Sequence, residues 1–292
     1  MSIHFQGRVA IVTGAGGGLG REHALALAAR GAKVVVNDLA AADAVVEQIR
    51  AAGGEAIASA ASVTDFDAVR AMVEQAMAAW GRVDILVNNA GILRDKSFAK
   101  MDLADFRLVM EVHLMGAVHC CKAVWEIMRQ QQYGRIVMTS SSSGLYGNFG
   151  QANYGAAKMA LVGLMQTLAI EGEKANIRVN SLAPTAHTQM TEGLMPEAVL
   201  QAFRPAAVTP GLLYLVSEDA PTRAILCAGA GTFERAYVTL TQGVHLGTGA
   251  DVAEQVAQRF EAISDRAQGE TVPAVGAAQT QNELARAGAR LG

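Results

Sequence analysis

Tyr154 and Lys158 stand four residues apart at the end of SSSSGLYGNFGQANYGAAK, residues 140–158. That spacing puts both side chains on one face of a helix. A free phenol has a pKa of about 10, too high for efficient base chemistry at neutral pH. An ammonium one turn away favours the phenolate, as does any positive ring bound nearby. Tyr154 therefore reads as a general acid or base acting on a carbonyl or carbinol oxygen, with Lys158 tuning it. Ser141 ends the run GRIVMTSS, thirteen residues before the tyrosine. Its hydroxyl can hold that oxygen and stabilise developing charge. A YxxxK spacing alone arises by chance; the serine ahead of it narrows the reading.

A second cluster lies near the start, where TGAGGGLG (13–20) follows the apolar run RVAIVT and precedes the helical pattern LGREHALALAARG. Gly14, Gly18 and Gly20 allow a sharp turn. A pyrophosphate can then approach the backbone at a helix N-terminus, where free N–H groups and the helix dipole favour an anion. Asp38 follows 18 residues after Gly20, at the end of KVVVN. A carboxylate there accepts from adenosine ribose hydroxyls and repels a 2′-phosphate. No Arg or Lys follows it in NDLAAAD, so the expected cofactor is NAD rather than NADP. The plainer alternative is a solvated helix cap.

The elements that must position these residues alternate. Seven β-rich runs (8–13, 33–37, 55–60, 84–91, 134–140, 177–184, 224–229) are separated by helical patterns at 41–52, 65–81, 103–131 and 154–175. That order predicts an α/β fold, a parallel sheet with helices on both faces. The strands are near-continuous apolar runs, as sheets covered on both faces require. Residues 185–205 read as an irregular insertion. The expected division is a domain over 1–246 and a C-terminal extension over 247–292, with an amphipathic helix near 251–263.

The chain has 292 residues, 51% hydrophobic and 17% charged, with a net charge of -3. That length allows one large domain or two small ones, and the composition suits a packed globular protein and gives no basic footprint for nucleic acid. No apolar run approaches the ~18 residues of a spanning helix, so no membrane insertion is expected. MSIHFQGRVAIVTG lacks the basic start and apolar core of a signal peptide. Cys120, Cys121 and Cys227 form no CxxC and no metal pattern; they read as ordinary thiols in a reducing compartment.

TGxxxGxG (13–20), NNAG (88–91), Ser141 and YxxxK (154–158), in this order, resemble the short-chain dehydrogenase/reductase family over roughly residues 7–245. The resemblance implies a doubly wound Rossmann-type fold with a seven-stranded parallel sheet. It implies hydride transfer between a nicotinamide cofactor and a carbonyl or alcohol. It assigns cofactor contacts to Gly14, Gly18, Leu19, Gly20, Asp38, Ser62, Val63, Asn89, Ala90, Gly91, Tyr154, Lys158, Pro184 and Thr188, and catalysis to Ser141, Tyr154 and Lys158. Where most members have a relay asparagine, EVHLMG carries His113, which either substitutes in catalysis or packs at a kink. Ser62 stands where the family often has Asp, and Thr185 where it has Gly after Pro184.

NNAGILRDKSFAKM, YGRIVMTSSSSGLYGNFGQANYGAAK and TQMTEGLMPE are similar to one branch, the (3R)-hydroxyacyl-CoA dehydrogenase domains of peroxisomal type-2 multifunctional enzymes. That branch also carries histidine at the position of His113. The resemblance implies NAD-dependent oxidation of a (3R)-3-hydroxyacyl-CoA. The alternative is a hydroxysteroid or another bulky secondary alcohol. Leu145, Phe149 and Met190, with segment 185–205, either line an acyl or steroid channel or pack in the core. Arg94 and Lys96 either meet CoA phosphates or are solvated. The chain ends in ARLG rather than a peroxisomal SKL, so a cytoplasmic enzyme is expected. A homodimer or homotetramer is the expected assembly.

Overall fold

The structure is a computed structural model and describes residues 2–186 and 202–288. Strand β1 (Val9–Thr13) is buried along its whole length, as its unbroken apolar run demands. β2 (Lys33–Asn37), β3 (Ala56–Ser59), β4 (Ile85–Asn88), β5 (Gly134–Thr139), β6 (Ile177–Thr185), β7 (Ile225–Gly229) and β8 (Thr232–Ala236) complete one sheet in the order β3-β2-β1-β4-β5-β6-β7-β8. Every pairing from β3 through β7 is parallel.

The sheet has eight strands where the family resemblance implies seven. Ala230 and Gly231 take φ of 49° and 77° between β7 and β8. A two-residue connection with both positions left-handed closes a hairpin, so β8 turns back along the edge. The sequence lacks the Asn-Gly signal that would have announced it.

Helices α1 (Gly18–Ala28), α2 (Ala42–Ala51) and α8 (Thr209–Leu215) pack together around a core that includes Val12, Leu27, Val36, Val45 and Leu212. α3 (Phe66–Trp80), α4 (Leu103–Met110), α5 (Gly116–Gln131) and α7 (Ala152–Gly172) form a second group. Helices on both faces of a parallel sheet are what the alternating sequence pattern predicts. Asp65 caps α3 by accepting from the N–H groups of Asp67 and Ala68, and Gly81 ends it with φ 73°. α4 and α5 are joined by a π-helical turn, Glu111–Met115. By length and composition alone the run Leu103–Gln131 could cross a membrane. Its Val109, Cys120, Cys121, Val124 and Met128 are instead buried inside the protein.

The sheet order reverses between β1 and β4, so a crevice opens beyond the C-terminal ends of these strands. Thr13, Asn37, Asn88 and Thr139 lie at those ends, and every candidate motif follows one of them.

Chain contacts divide the molecule into Met1–Arg235 and Ala236–Gly292, a boundary earlier than the one expected after residue 246. The second unit contains an antiparallel ribbon, Leu240–Thr241 with Glu270–Thr271. It also contains helices Val252–Gln258, Phe260–Ile263 and Ala277–Arg286.

Candidate active site

The glycine turn is shaped by contact with the NNAG segment. Gly14 has φ 60°, and a Cβ there would lie 2.8 Å from the Ala90 Cα. A Cβ on Gly20 would lie 2.2 Å from the Gly14 carbonyl oxygen. Asn89 Nδ2 donates to the carbonyls of Thr13 and Gly14, each at 3.0 Å. The N–H groups of Asn89 and Ala90 both donate to Thr13 Oγ1 at 3.0 Å. Thr13 thus ties the two turns together, a role the glycine spacing did not reveal.

α1 begins at Gly18 with no side-chain cap and no acidic residue in its first turn. A Cβ on Gly17 would meet nothing within 4 Å. The helix therefore presents unpaired N–H groups to open space, the arrangement that receives an anion. Leu19 packs against the core beneath this end.

Asp38 Oδ2 accepts from the Gly16 N–H at 3.1 Å, while Oδ1 accepts from the N–H groups of Ala40 and Ala41. The carboxylate thus both borders the glycine turn and caps the approach to α2. Ser62 bonds locally to Thr64, through its hydroxyl at 2.8 Å and the Thr64 N–H at 3.3 Å. Val63 is buried, and its carbonyl accepts from His119 Nδ1 at 2.9 Å. Pro184 lies at the end of β6, half-buried. Thr188 and Met190 lie outside the described residues.

The structure brings Ser141, Tyr154, Lys158 and His113 together beyond β4 and β5. Ser141 is 8% exposed and opens the short helix α6 (Ser142–Tyr146), accepting at Oγ from the Ser143 N–H at 3.2 Å. Lys158 is 3% exposed. Its Nζ donates to the Thr139 carbonyl at 2.6 Å and lies 5.4 Å from the Tyr154 ring centroid. Burial lowers its pKa to about 7. Burial also raises the Tyr154 phenol; a hydrogen bond with Ser141 opposes that, and the Asp95 charge reinforces it. Burial is thus the largest influence on both groups.

His113 sits in the π-helical turn, a local irregularity that recurs at functional sites. Its ring meets Tyr154 edge-on, with centroids 5.3 Å apart. Nε2 lies 3.0 Å from the Ile92 nitrogen and 2.8 Å from the Ile92 oxygen, while Nδ1 is buried without a partner. Burial, then the Lys158 charge, lower its pKa to about 3, so the imidazole is neutral at physiological pH. His113 thus packs at a local distortion with its ring against Tyr154.

Residues absent from the sequence reading complete the site. Asn153 is fully buried; Nδ2 donates to the Arg94 carbonyl at 3.0 Å and Oδ1 accepts from the Tyr154 N–H at 2.7 Å. Ser140 Oγ donates to the Lys158 carbonyl at 2.9 Å. Gln151 joins Ser143 to Asp95. Its distance from Asp95 along the chain hid that link.

Phe149 is 90% exposed and Leu145 half-buried, so Phe149 is not a core residue. Arg94 and Lys96 are exposed, and both face Asp105, at 3.7 and 3.9 Å. Cys120 and Cys121 are buried, which raises their thiol pKa values; Cys227 is partly buried and hydrogen-bonded to Tyr146. None of the three is activated.

The short chain dehydrogenase family model matches residues 8–198, from β1 past the YxxxK pair. The chain belongs to this family of oxidoreductases. It is 49% identical over 258 residues to peroxisomal multifunctional enzyme A of Dictyostelium discoideum, covering 84% of this chain and 58% of that one. Full-length peroxisomal multifunctional enzyme type 2 from Drosophila melanogaster superposes with a TM-score of 0.84 at 40% identity, over 98% of this chain and 50% of its own. A 7α-hydroxysteroid dehydrogenase, solved with NADH and 7-oxo glycochenodeoxycholic acid, superposes with a TM-score of 0.73 at 32% identity, over 78% of this chain and 95% of its own. The chain therefore spans between about a quarter and three-fifths of the length of the multifunctional relatives it matches.

Proposed function

We propose that this chain oxidises (3R)-3-hydroxyacyl-CoA thioesters to 3-oxoacyl-CoA with NAD. The observation that carries the chemistry is Ser141, Tyr154 and Lys158 gathered beyond the C-terminal end of β5, on the same edge of the sheet as the uncapped N-terminus of α1. The residues fit a dinucleotide: Gly14 and Gly20 leave no room for side chains, Gly17 faces open space, and Asp38 supplies the ribose acceptor. When bound, the nicotinamide supplies the hydride acceptor.

The chain's own residues do the rest. The Ser141 hydroxyl orients the substrate oxygen beside the Tyr154 phenol. Tyr154 takes the hydroxyl proton in oxidation and returns it in reduction. Thr139 fixes the Lys158 ammonium by its carbonyl, which keeps the cation on the tyrosine's side of the helix. Asn153 and Ser140 lock the start of α7, so Tyr154 is held on a rigid element.

The acyl-CoA reading is supported by the likeness to the multifunctional enzymes and by the exposed Tyr146 and Phe149 in the stretch that follows Ser141, apolar surface for an acyl chain. A steroid alcohol is the second reading, favoured by the likeness to the 7α-hydroxysteroid dehydrogenase. Residues 247–292 serve as a C-terminal extension, and the subunits pair as a homodimer or homotetramer. Cell fractionation decides between a cytoplasmic location and the peroxisome of the relatives' names.

Initial rates with 3-hydroxyacyl-CoA of both configurations and several chain lengths, against a 17β-hydroxysteroid, test the proposal. The expected result is turnover of the (3R) thioesters with NAD preferred over NADP. Activity on the steroid alone, or a preference for NADP, would overturn it.

A further inference from the structure

The loop after β4 carries Arg94, Asp95 and Lys96 in succession. Asp95 has a cation on either side along the chain, yet both turn to Asp105. Asp95 instead accepts from Gln151 Nε2 at 2.6 Å. The other end of that amide accepts from Ser143 Oγ at 2.7 Å and from Asn148 Nδ2 at 3.1 Å. Ser143 in turn donates its N–H to Ser141 Oγ at 3.2 Å. Each amide end of Gln151 thus has partners of the right polarity, which fixes its orientation. One hydrogen-bonded path runs from Asp95 to the hydroxyl that handles the substrate oxygen.

We propose that Asp95 is a positioning residue of the active site: through Gln151 and Ser143 it sets the orientation of Ser141, and it holds an unneutralised carboxylate on the Tyr154 side. This rests on the reading of Ser141 and Tyr154 as the reacting pair. The loop does not depend on Asp95 for its place. The Lys96 N–H donates to the Gly150 carbonyl at 2.9 Å, and Asn153 Nδ2 donates to the Arg94 carbonyl at 3.0 Å. Removing the carboxylate therefore leaves two anchors in place.

The charge acts on Tyr154 in a definite direction. A nearby carboxylate disfavours the phenolate, adding to the effect of burial and opposing the Ser141 hydrogen bond. The other groups facing the tyrosine are His113, neutral above about pH 3, and Lys158, which loses its charge as pH rises through about 7. Among the described residues, Asp95 is the carboxylate whose charge acts on the phenol.

Two variants of the full chain separate the roles. Asp95→Asn keeps an acceptor for Gln151 and removes the charge; Asp95→Ala removes both. The Tyr154 titration is followed by phenolate absorbance, with Tyr154→Phe subtracted to assign it. The expected result is a midpoint lowered by about half a pH unit in Asp95→Asn. In turnover, the pH profile of Asp95→Asn shifts to lower pH by the same amount. Asp95→Ala loses about tenfold in kcat through a misplaced Ser141, with KM little changed. An unmoved phenol midpoint in Asp95→Asn, or equal kcat in Asp95→Ala and the parent, overturns the proposal. The titration needs no substrate, so failure of the acyl-CoA reading leaves it decisive.

Discussion

His113 meets Tyr154 edge to face, with ring centroids 5.3 Å apart and planes at 89°. Gly91 makes this possible: a Cβ there would lie 2.2 Å from His113 Cε1. Gly91→Ala must therefore push the imidazole toward the tyrosine or distort the NNAG turn. It should lower the thermal midpoint and reduce kcat/KM by about tenfold or more. Adding His113→Ala should recover part of the lost thermal stability, because the clashing ring is gone. Thermal unfolding of the single and double variants checks this; no recovery would place the damage elsewhere.

Lys158 is a buried cation whose pKa falls from 10.5 to about 7 on folding. Between those values the unfolded chain binds more protons than the folded one, so this group makes stability rise with pH across that window. Below about pH 7 the full burial cost is present. Lys158→Met removes the dependence. The variant's gain in urea midpoint over the parent should be largest at or below neutrality and shrink toward pH 10.5. A difference independent of pH would show that the lysine is charged in the fold throughout.

Tyr154 has a raised pKa, set first by burial. At neutral pH it is therefore almost wholly phenol, ready to donate a proton and short of the base form. Oxidation should speed up about tenfold per pH unit on the alkaline side until the phenol titrates and then level off, while reduction stays level over that range and slows only above the phenol's titration. Rate profiles in both directions measure this. Coincident profiles would remove Tyr154 from the proton transfer.

The parallel core was legible because β1, β2, β4 and β5 are near-continuous apolar runs, and each is followed by the motif it positions. The glycine turn, Asp38, Ser141, Tyr154 and Lys158 were readable for the same reason: each belongs to a short local spacing. What stayed hidden is long-range or irregular. The π-helical turn at Glu111–Met115 has no sequence period of its own. β8 follows a turn built on Ala230, which carries no turn signature. Asp95 and Gln151 are brought together only by the packing of the loop after β4 against α7. The influences on Tyr154 were also out of reach, since burial, the largest of them, is a property of the fold.

The most direct test of the account is the rate of NAD reduction by (3R)-3-hydroxyacyl-CoA, compared between the parent chain and Tyr154→Phe. The phenyl ring keeps the packing against His113 and deletes only the proton-carrying oxygen. The account predicts ready turnover by the parent and a loss of about a hundredfold or more in kcat for the variant, with the protein still folded. Undiminished turnover by Tyr154→Phe would contradict it.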